Sequence, residues 1–283
     1  SRKKSKDIVD FYKSWDVYIG DEAHKFASKS ILDISNKMLH AKYRLGTTGT
    51  LQDAKVSKLS LEGSFGPVYK VITTKELMDR GQVVQLNIKC LVLDYAEDIK
   101  KAFKKVDYQT ELDYLVTNEK RNKFIAKLAK VSNGNTLVLF NFVQKHGKPL
   151  YELIKTMVGD DRPVFYISGE VSADERENIR KTLETHTDAI LVASYATLST
   201  GVNIPSIENI IFASPSKSKI RNLQSIGRGL RLRQGKNSCT LFDIADNLTY
   251  KSKMNYSMIH FKERIDQYKQ ESFDFTIKQI PFL

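Results

Sequence analysis

Val17-Tyr-Ile-Gly-Asp21-Glu22-Ala23-His24 is an apolar run that ends on two adjacent carboxylates. The apolar residues read as a strand, and the acids then stand at its C-terminal end, where open α/β sheets place their ligands. One carboxylate there can hold a hard divalent cation, directly or through water, while its neighbour orients an attacking water. The same pair would serve equally as helix N-cap acids, and this stretch alone leaves the two readings open. No HExxH surrounds His24, which disfavours a zinc hydrolase and favours a hydrogen-bonded polar residue over a metal ligand.

Outward from that strand, short apolar runs alternate with amphipathic stretches, the pattern of a doubly wound α/β sheet. Strands are expected over 17–20, 43–47, 86–93, 136–142, 164–168, 189–193, 209–213 and 239–244. Helices are expected over 29–39, 54–62, 111–131, 147–158, 173–184, 217–231 and 251–269. Ser172, followed by Asp174 and Glu175, predicts an N-terminal cap. Three blocks follow from this order. Residues 1–80 hold only two strands, both buried in character, and read as the C-terminal part of a first domain. Residues 81–134 read as a connecting strand and a charged helical segment, and 135–283 as a complete second domain.

With 283 residues, 41% of them apolar and 28% charged, the chain can build packed cores for one large domain or two ordinary ones. The longest uncharged stretch, 189–207, carries Ser, Thr, Asn, Gly and Pro throughout, a poor candidate for membrane insertion. Residues 1–10 are basic and polar, so no signal peptide is expected. Cys90 and Cys239 have no CxxC partner and no nearby histidine, which argues against both a zinc site and a disulfide framework. A cytoplasmic protein without a membrane partner is expected.

The net charge of +12 points to a polyanionic partner, because lysine and arginine release its condensed counterions. The distribution sharpens the point. No acidic residue lies between Glu208 and Asp243, while Lys217, Lys219, Arg221, Arg228, Arg231, Arg233 and Lys236 all do. A solvated face normally mixes signs, so this block is expected to meet phosphates. Within it, Gln224, Arg228 and Arg231 are spaced i, i+4 and i+7, placing an amide and two guanidiniums on one helical face. The rigid fork of arginine suits a phosphate with charge spread over three oxygens. Gly227 and Gly229 cost about 1 kcal/mol each in a helix, a cost that close approach of another domain or a nucleotide would explain.

Asp21-Glu-Ala-His24, then Gly46-Thr-Thr-Gly-Thr50, then Gln224-Ser-Ile-Gly-Arg-Gly-Leu-Arg231, in that order and with about 200 residues between first and last, resemble the DEAH-type helicases of superfamily 2. Leu137-Val-Leu-Phe-Asn-Phe142 and Tyr195-Ala-Thr-Leu-Ser-Thr200-Gly201-Val-Asn203-Ile-Pro205 resemble two further motifs of that family. The resemblance implies two RecA-like parallel-sheet domains, the first N-terminally truncated, and ATP-dependent helicase activity with Mg²⁺. It implies DNA as partner, branched as in forks and Holliday junctions or hybrid with RNA as in R-loops, in recombination and replication restart. If the gene is a phage's, the compartment is the host cytoplasm.

Carried over by residue, the resemblance implies that Asp21 holds Mg²⁺ and Glu22 positions the hydrolytic water. His24, Asn203 and Gln224 would contact nucleotide; Thr48 and Thr50 would couple it to the nucleic-acid track. Arg228 and Arg231 would face the γ-phosphate, and Thr200 and Gly201 would meet the nucleic-acid backbone, the contact that the acid-free block gives Lys217, Lys219 and Arg221 by charge. Asn203 departs from the family, where an aspartate is usual. A larger departure is the phosphate-cradling loop GxxxxGK[ST]: the only Gly-Lys pairs, Gly147-Lys148 and Gly235-Lys236, continue with Pro149 and Asn237. The chain therefore reads as the C-terminal portion of a longer helicase, inactive alone and completed by an N-terminal part of the same protein. Two other readings stay open: a non-enzymatic nucleic-acid-binding or annealing module, and a different P-loop phosphotransferase.

Overall fold

The computed structural model describes residues 10–49, 55–199, 207–214, 227, 232, 236 and 238–282. The chain divides into two compact units, Ser1–Val71 and Ile72–Leu283.

In the first unit, β1 (Val17–Gly20) pairs in parallel with β2 (Tyr43–Gly46), Gly20 opposite Gly46. A 3₁₀ turn (Ala23–Ala27) and α1 (Lys29–Lys37) make the crossover, and α2 (Lys55–Phe65) follows. One face of the pair is covered by aromatic rings. Phe65 stacks on Tyr18 at 5.4 Å and meets Phe26 edge-on at 5.2 Å. Those rings explain two glycines: a Cβ on Gly20 would lie 2.7 Å from Phe65, and one on Gly46 2.8 Å from it. The opposite face corrects the expectation that both strands are buried. Strand alternation sends Val17, Ile19, Tyr43 and Leu45 to that side, and all four are exposed, Ile19 by 63%.

The second unit is a seven-stranded parallel sheet between two helical layers. Its strands are β3 (Gln85–Tyr95), β4 (Thr136–Phe140), β5 (Val164–Ile167), β6 (Ile190–Ser194), β7 (Asn209–Phe212), β8 (Ser238–Asn247) and β9 (Phe275–Phe282). They lie in the order β5-β6-β4-β7-β8-β3-β9. The strand expected over 86–93 thus belongs to this sheet rather than to a connection, between β8 and β9.

Helices α4 (Glu97–Ala102), α5 (Tyr108–Thr117), α6 (Glu119–Val131) and α7 (Lys148–Val158) share a core with Leu93, Val138, Phe140 and Val192 on one face. On the other, α3 (Thr74–Asp79), α8 (Ala173–Thr185), α9 (Tyr195–Ser199) and α10 (Tyr256–Gln270) pack over Leu137, Leu139, Leu191 and Phe212. The alternation within β4, Leu137 and Leu139 against Val138 and Phe140, is why that strand is apolar throughout.

Several element boundaries differ from expectation. The single helix expected over 111–131 is two, because Asn118 is extended and caps α6 by accepting the Arg121 N–H at 2.9 Å. Ser172 caps α8 as expected, accepting from Glu175 N–H. Strand β9 and helices α3, α4 and α9 were not expected; α3 opens on a capping box between Thr73 and Glu76. The helix expected over 217–231 lies outside the described residues except for Gly227. Gly147, one of the two glycines weighed for a phosphate loop, packs its Cα against the Phe140 ring, which leaves no room for a Cβ. No helix among the described residues is long and apolar enough to cross a membrane.

Candidate functional site

The ends of β1 and β2 bring the two adjacent acids and the threonine stretch together. The Thr47 N–H donates to Gly20 O and the Ala23 N–H to Thr47 O, each at 2.8 Å, so the ladder continues past both strands. Asp21 is exposed; its Oδ1 accepts from the Glu22 N–H at 2.8 Å and the Thr47 hydroxyl at 3.1 Å. Glu22 turns the chain in the left-handed region, φ 52° and ψ 47°, a conformation uncommon for a residue with a Cβ.

His24 is buried directly behind the acids. Its Nδ1 lies 2.9 Å from Thr48 Oγ1 and 3.2 Å from Glu22 Oε2. A carboxylate only accepts, so an Nδ1–H tautomer satisfies both neighbours. Burial lowers the imidazole pKa; the Glu22 carboxylate opposes the shift and Lys25 adds to it. The histidine is thus a hydrogen-bonded link between the acid turn and the threonine turn. Among the described residues no three His, Cys, Asp or Glu side chains converge as a metal cage. One exposed carboxylate with a hard oxygen suits Mg²⁺, which keeps waters and substrate phosphates as its remaining ligands.

Of the residues singled out from sequence, Asp21, Glu22, His24 and Thr48 are therefore assembled in one place. Thr47 was missed, although strand register alone places it beside Asp21. Thr50, Thr200, Gly201, Asn203, Lys217, Lys219, Arg221, Gln224, Arg228 and Arg231 lie outside the described residues.

In the larger unit the C-terminal ends of β4 and β7 carry a closed polar network. Ser214 Oγ accepts from the Asn141 N–H at 3.0 Å and lies 2.9 Å from His146 Nδ1. The other ring nitrogen of His146 is 3.1 Å from Asn122 Oδ1. Burial, reinforced by Arg121, pushes the His146 pKa down to about 3. Arg121 itself is fully buried, donating to Asp246 Oδ1 at 2.8 Å and to the Ala213 carbonyl at 2.7 Å. These bonds hold the end of β7, which lies within the acid-free stretch and ahead of its first basic residue, Lys217.

A family model described as the helicase conserved C-terminal domain matches residues 119–233. The ATP-dependent DNA helicase UvsW of Enterobacteria phage T4 is 34% identical over 97% of this chain and 57% of its own length. The crystal structure of T4 UvsW superposes with a TM-score of 0.61 at 30% identity, covering 97% of this chain and 56% of that one. A fragment of a putative HsdR subunit of a type I restriction enzyme from Vibrio vulnificus YJ016 gives 0.66 at 17% identity, over 98% and 51% of the two chains; at that identity the likeness speaks for the fold alone. The chain spans a little over half the length of its T4 relative. On these likenesses, residues 119–233 carry a helicase conserved C-terminal domain, and the chain has the RecA-like parallel-sheet fold of the superfamily 2 helicases.

Proposed function

We propose that the chain is motor machinery of an ATP-dependent DNA helicase acting on branched DNA: forks, Holliday junctions and R-loops. The observation that carries this is the hydrogen-bonded joint between the acids and the threonines: Asp21 to Thr47, and His24 to Thr48. A motor needs such a joint, because a change at the phosphate must move the segment that grips nucleic acid. Asp21 holds the Mg²⁺, which neutralises developing phosphate charge when bound. Glu22, raised on its left-handed turn, orients the attacking water, and His24 fixes the Glu22 carboxylate. Gln224, Arg228 and Arg231 meet the γ-phosphate; Thr50 joins Thr48 in coupling, and Asn203 contacts the nucleotide. Thr200, Gly201, Lys217, Lys219 and Arg221 take the nucleic-acid backbone.

No GxxxxGK[ST] occurs in residues 1–283, so these residues alone are expected to show no DNA-stimulated ATP turnover. In the full-length protein, Glu22→Gln and Arg231→Ala should each cut turnover by roughly 10³-fold or more while nucleotide affinity stays within a few-fold. ATP hydrolysis and DNA binding measured on the same variants decide the matter. A pure nucleic-acid-binding module predicts the reverse for Arg231→Ala: weaker DNA binding in proportion to lost charge, and an unchanged rate per bound complex.

A further inference from the structure

Strands β3 and β8 are neighbours, Asp94 opposite Asn247, so the segments leaving their C-terminal ends emerge side by side. Between those segments lies a hollow of about 150 Å³, walled by Phe103, Val106, Tyr256 and Ile259 and rimmed by Lys104 and Lys253. Tyr256 and Ile259 are exposed, and Tyr108 braces Tyr256 edge-on at 5.6 Å. A third lysine extends the rim: Lys104 and Lys251 approach the Tyr250 ring, at 5.8 and 5.7 Å from its centroid.

The acids nearby are already engaged. Glu111, at the floor, is buried and accepts from Asn255 Nδ2, Tyr256 N–H and Ser257 N–H at 2.8, 2.9 and 2.6 Å. Asp107 caps α5 through the Thr110 N–H and hydroxyl, and Asp94 pairs with Lys100. What remains facing outward is an apolar slot with ammonium groups around its mouth. The floor is also held rigid, since Asn255 bonds the Asp246 carbonyl and Asp246 bonds Arg121.

We propose that this hollow binds single-stranded nucleic acid, an unpaired base entering between Tyr256 and Phe103 and the flanking phosphates lying on Lys104, Lys251 and Lys253. Every base has a π-face, so such stacking is tolerant of sequence, and lysines read phosphates without regard to base. A small-molecule anion would not need the aromatic walls, and an apolar ligand would not need the lysines. The proposal rests on the reading of the chain as a nucleic-acid motor and adds a contact outside every helicase motif found in the sequence.

The test uses full-length protein and a fluorescent twenty-residue oligothymidylate, with anisotropy followed against salt. Lys104→Gln combined with Lys253→Gln removes two phosphate contacts, so the log–log slope should become shallower by about 1.4 and affinity near 0.1 M salt should fall roughly tenfold or more. Tyr256→Leu keeps the backbone N–H that Glu111 needs; it should weaken binding several-fold without changing the slope. An oligonucleotide carrying 5-iodouracil should crosslink to the peptide containing Tyr256. Wild-type protein that binds the oligonucleotide, beside a double-lysine variant of equal affinity and slope, overturns the proposal and leaves the motor reading intact. Loss of polyglutamate binding with oligonucleotide binding unchanged also overturns it, in favour of an acidic polypeptide partner. Failure of the wild-type protein to bind any oligonucleotide sinks both readings together.

Discussion

His146 shows how a single side chain is set by its surroundings. It sits just after a strand end, sealed between Ser214 and Asn122 and next to the Arg121 guanidinium. Burial and that positive neighbour hold its pKa at about 3, below the ordinary 6.5. Between those values the unfolded chain takes up a proton that the folded chain refuses. Stability therefore falls as pH drops through 6.5 toward 3, by at most about 1.4 kcal/mol per pH unit. From pH 7 to pH 5 the native protein should lose about 2 kcal/mol more than His146→Asn does, as read from urea unfolding at each pH. Equal pH dependence in the two proteins would show that the imidazole is free to protonate in the fold. Nothing in Lys145-His146-Gly147-Lys148 announces this environment, because Ser214 and Asn122 are 68 and 24 residues away.

At the scale of elements, caps divide into local and distant ones. Ser172 and Asn118 cap helices from three residues away, a distance at which sequence is readable; Ser172 was recognised from the acids behind it, while Asn118 was hidden inside an amphipathic pattern that runs on unbroken. The start of α10 is different. Asn255, its N-cap residue, makes no side-chain cap bond to the helix. The Glu111 carboxylate supplies the acceptors instead, across 145 and 146 residues. Glu111→Ala should leave two buried or half-buried N–H groups without acceptors and take from the Asn255 amide one of its two, the Asp246 carbonyl remaining, lowering the unfolding free energy by about 3 kcal/mol. Glu119→Ala, exposed at the first turn of α6, is the comparison and should shift it by less than about 0.5 kcal/mol. Chemical denaturation of both variants checks the difference; similar small losses would mean that α10 does not depend on this carboxylate.

At the scale of the whole molecule, charge is the property that sequence shows most directly. A chain of net charge +12 with an acid-free stretch of seven basic residues should bind DNA with strong salt dependence. If five phosphates are neutralised, the log–log slope is about −4.5 on duplex and nearer −3.5 on single strands. A flat salt response measured by anisotropy would remove the polyanion from the argument.

Alternating apolar runs and amphipathic stretches were enough to establish a parallel α/β chain, since a buried strand and a half-buried helix differ in period. The ordered motifs were enough to point to the helicases, because that resemblance rests on residue identity and order, which the sequence shows directly. Strand neighbours were not readable in the same way. Parallel strands are joined by long crossovers, so nothing local says that β3 lies between β8 and β9, or that it belongs with the larger sheet at all. The exposed face of β1 and β2 was likewise hidden, because an apolar side chain looks the same in sequence whether another layer covers it or not. Tertiary structure alone decided the joint from Asp21 to Thr47, the distant cap from Glu111 and the hollow beside Tyr256. Each depends on groups brought together from separate crossovers, and contact at that range is set by how the layers pack rather than by any spacing along the chain.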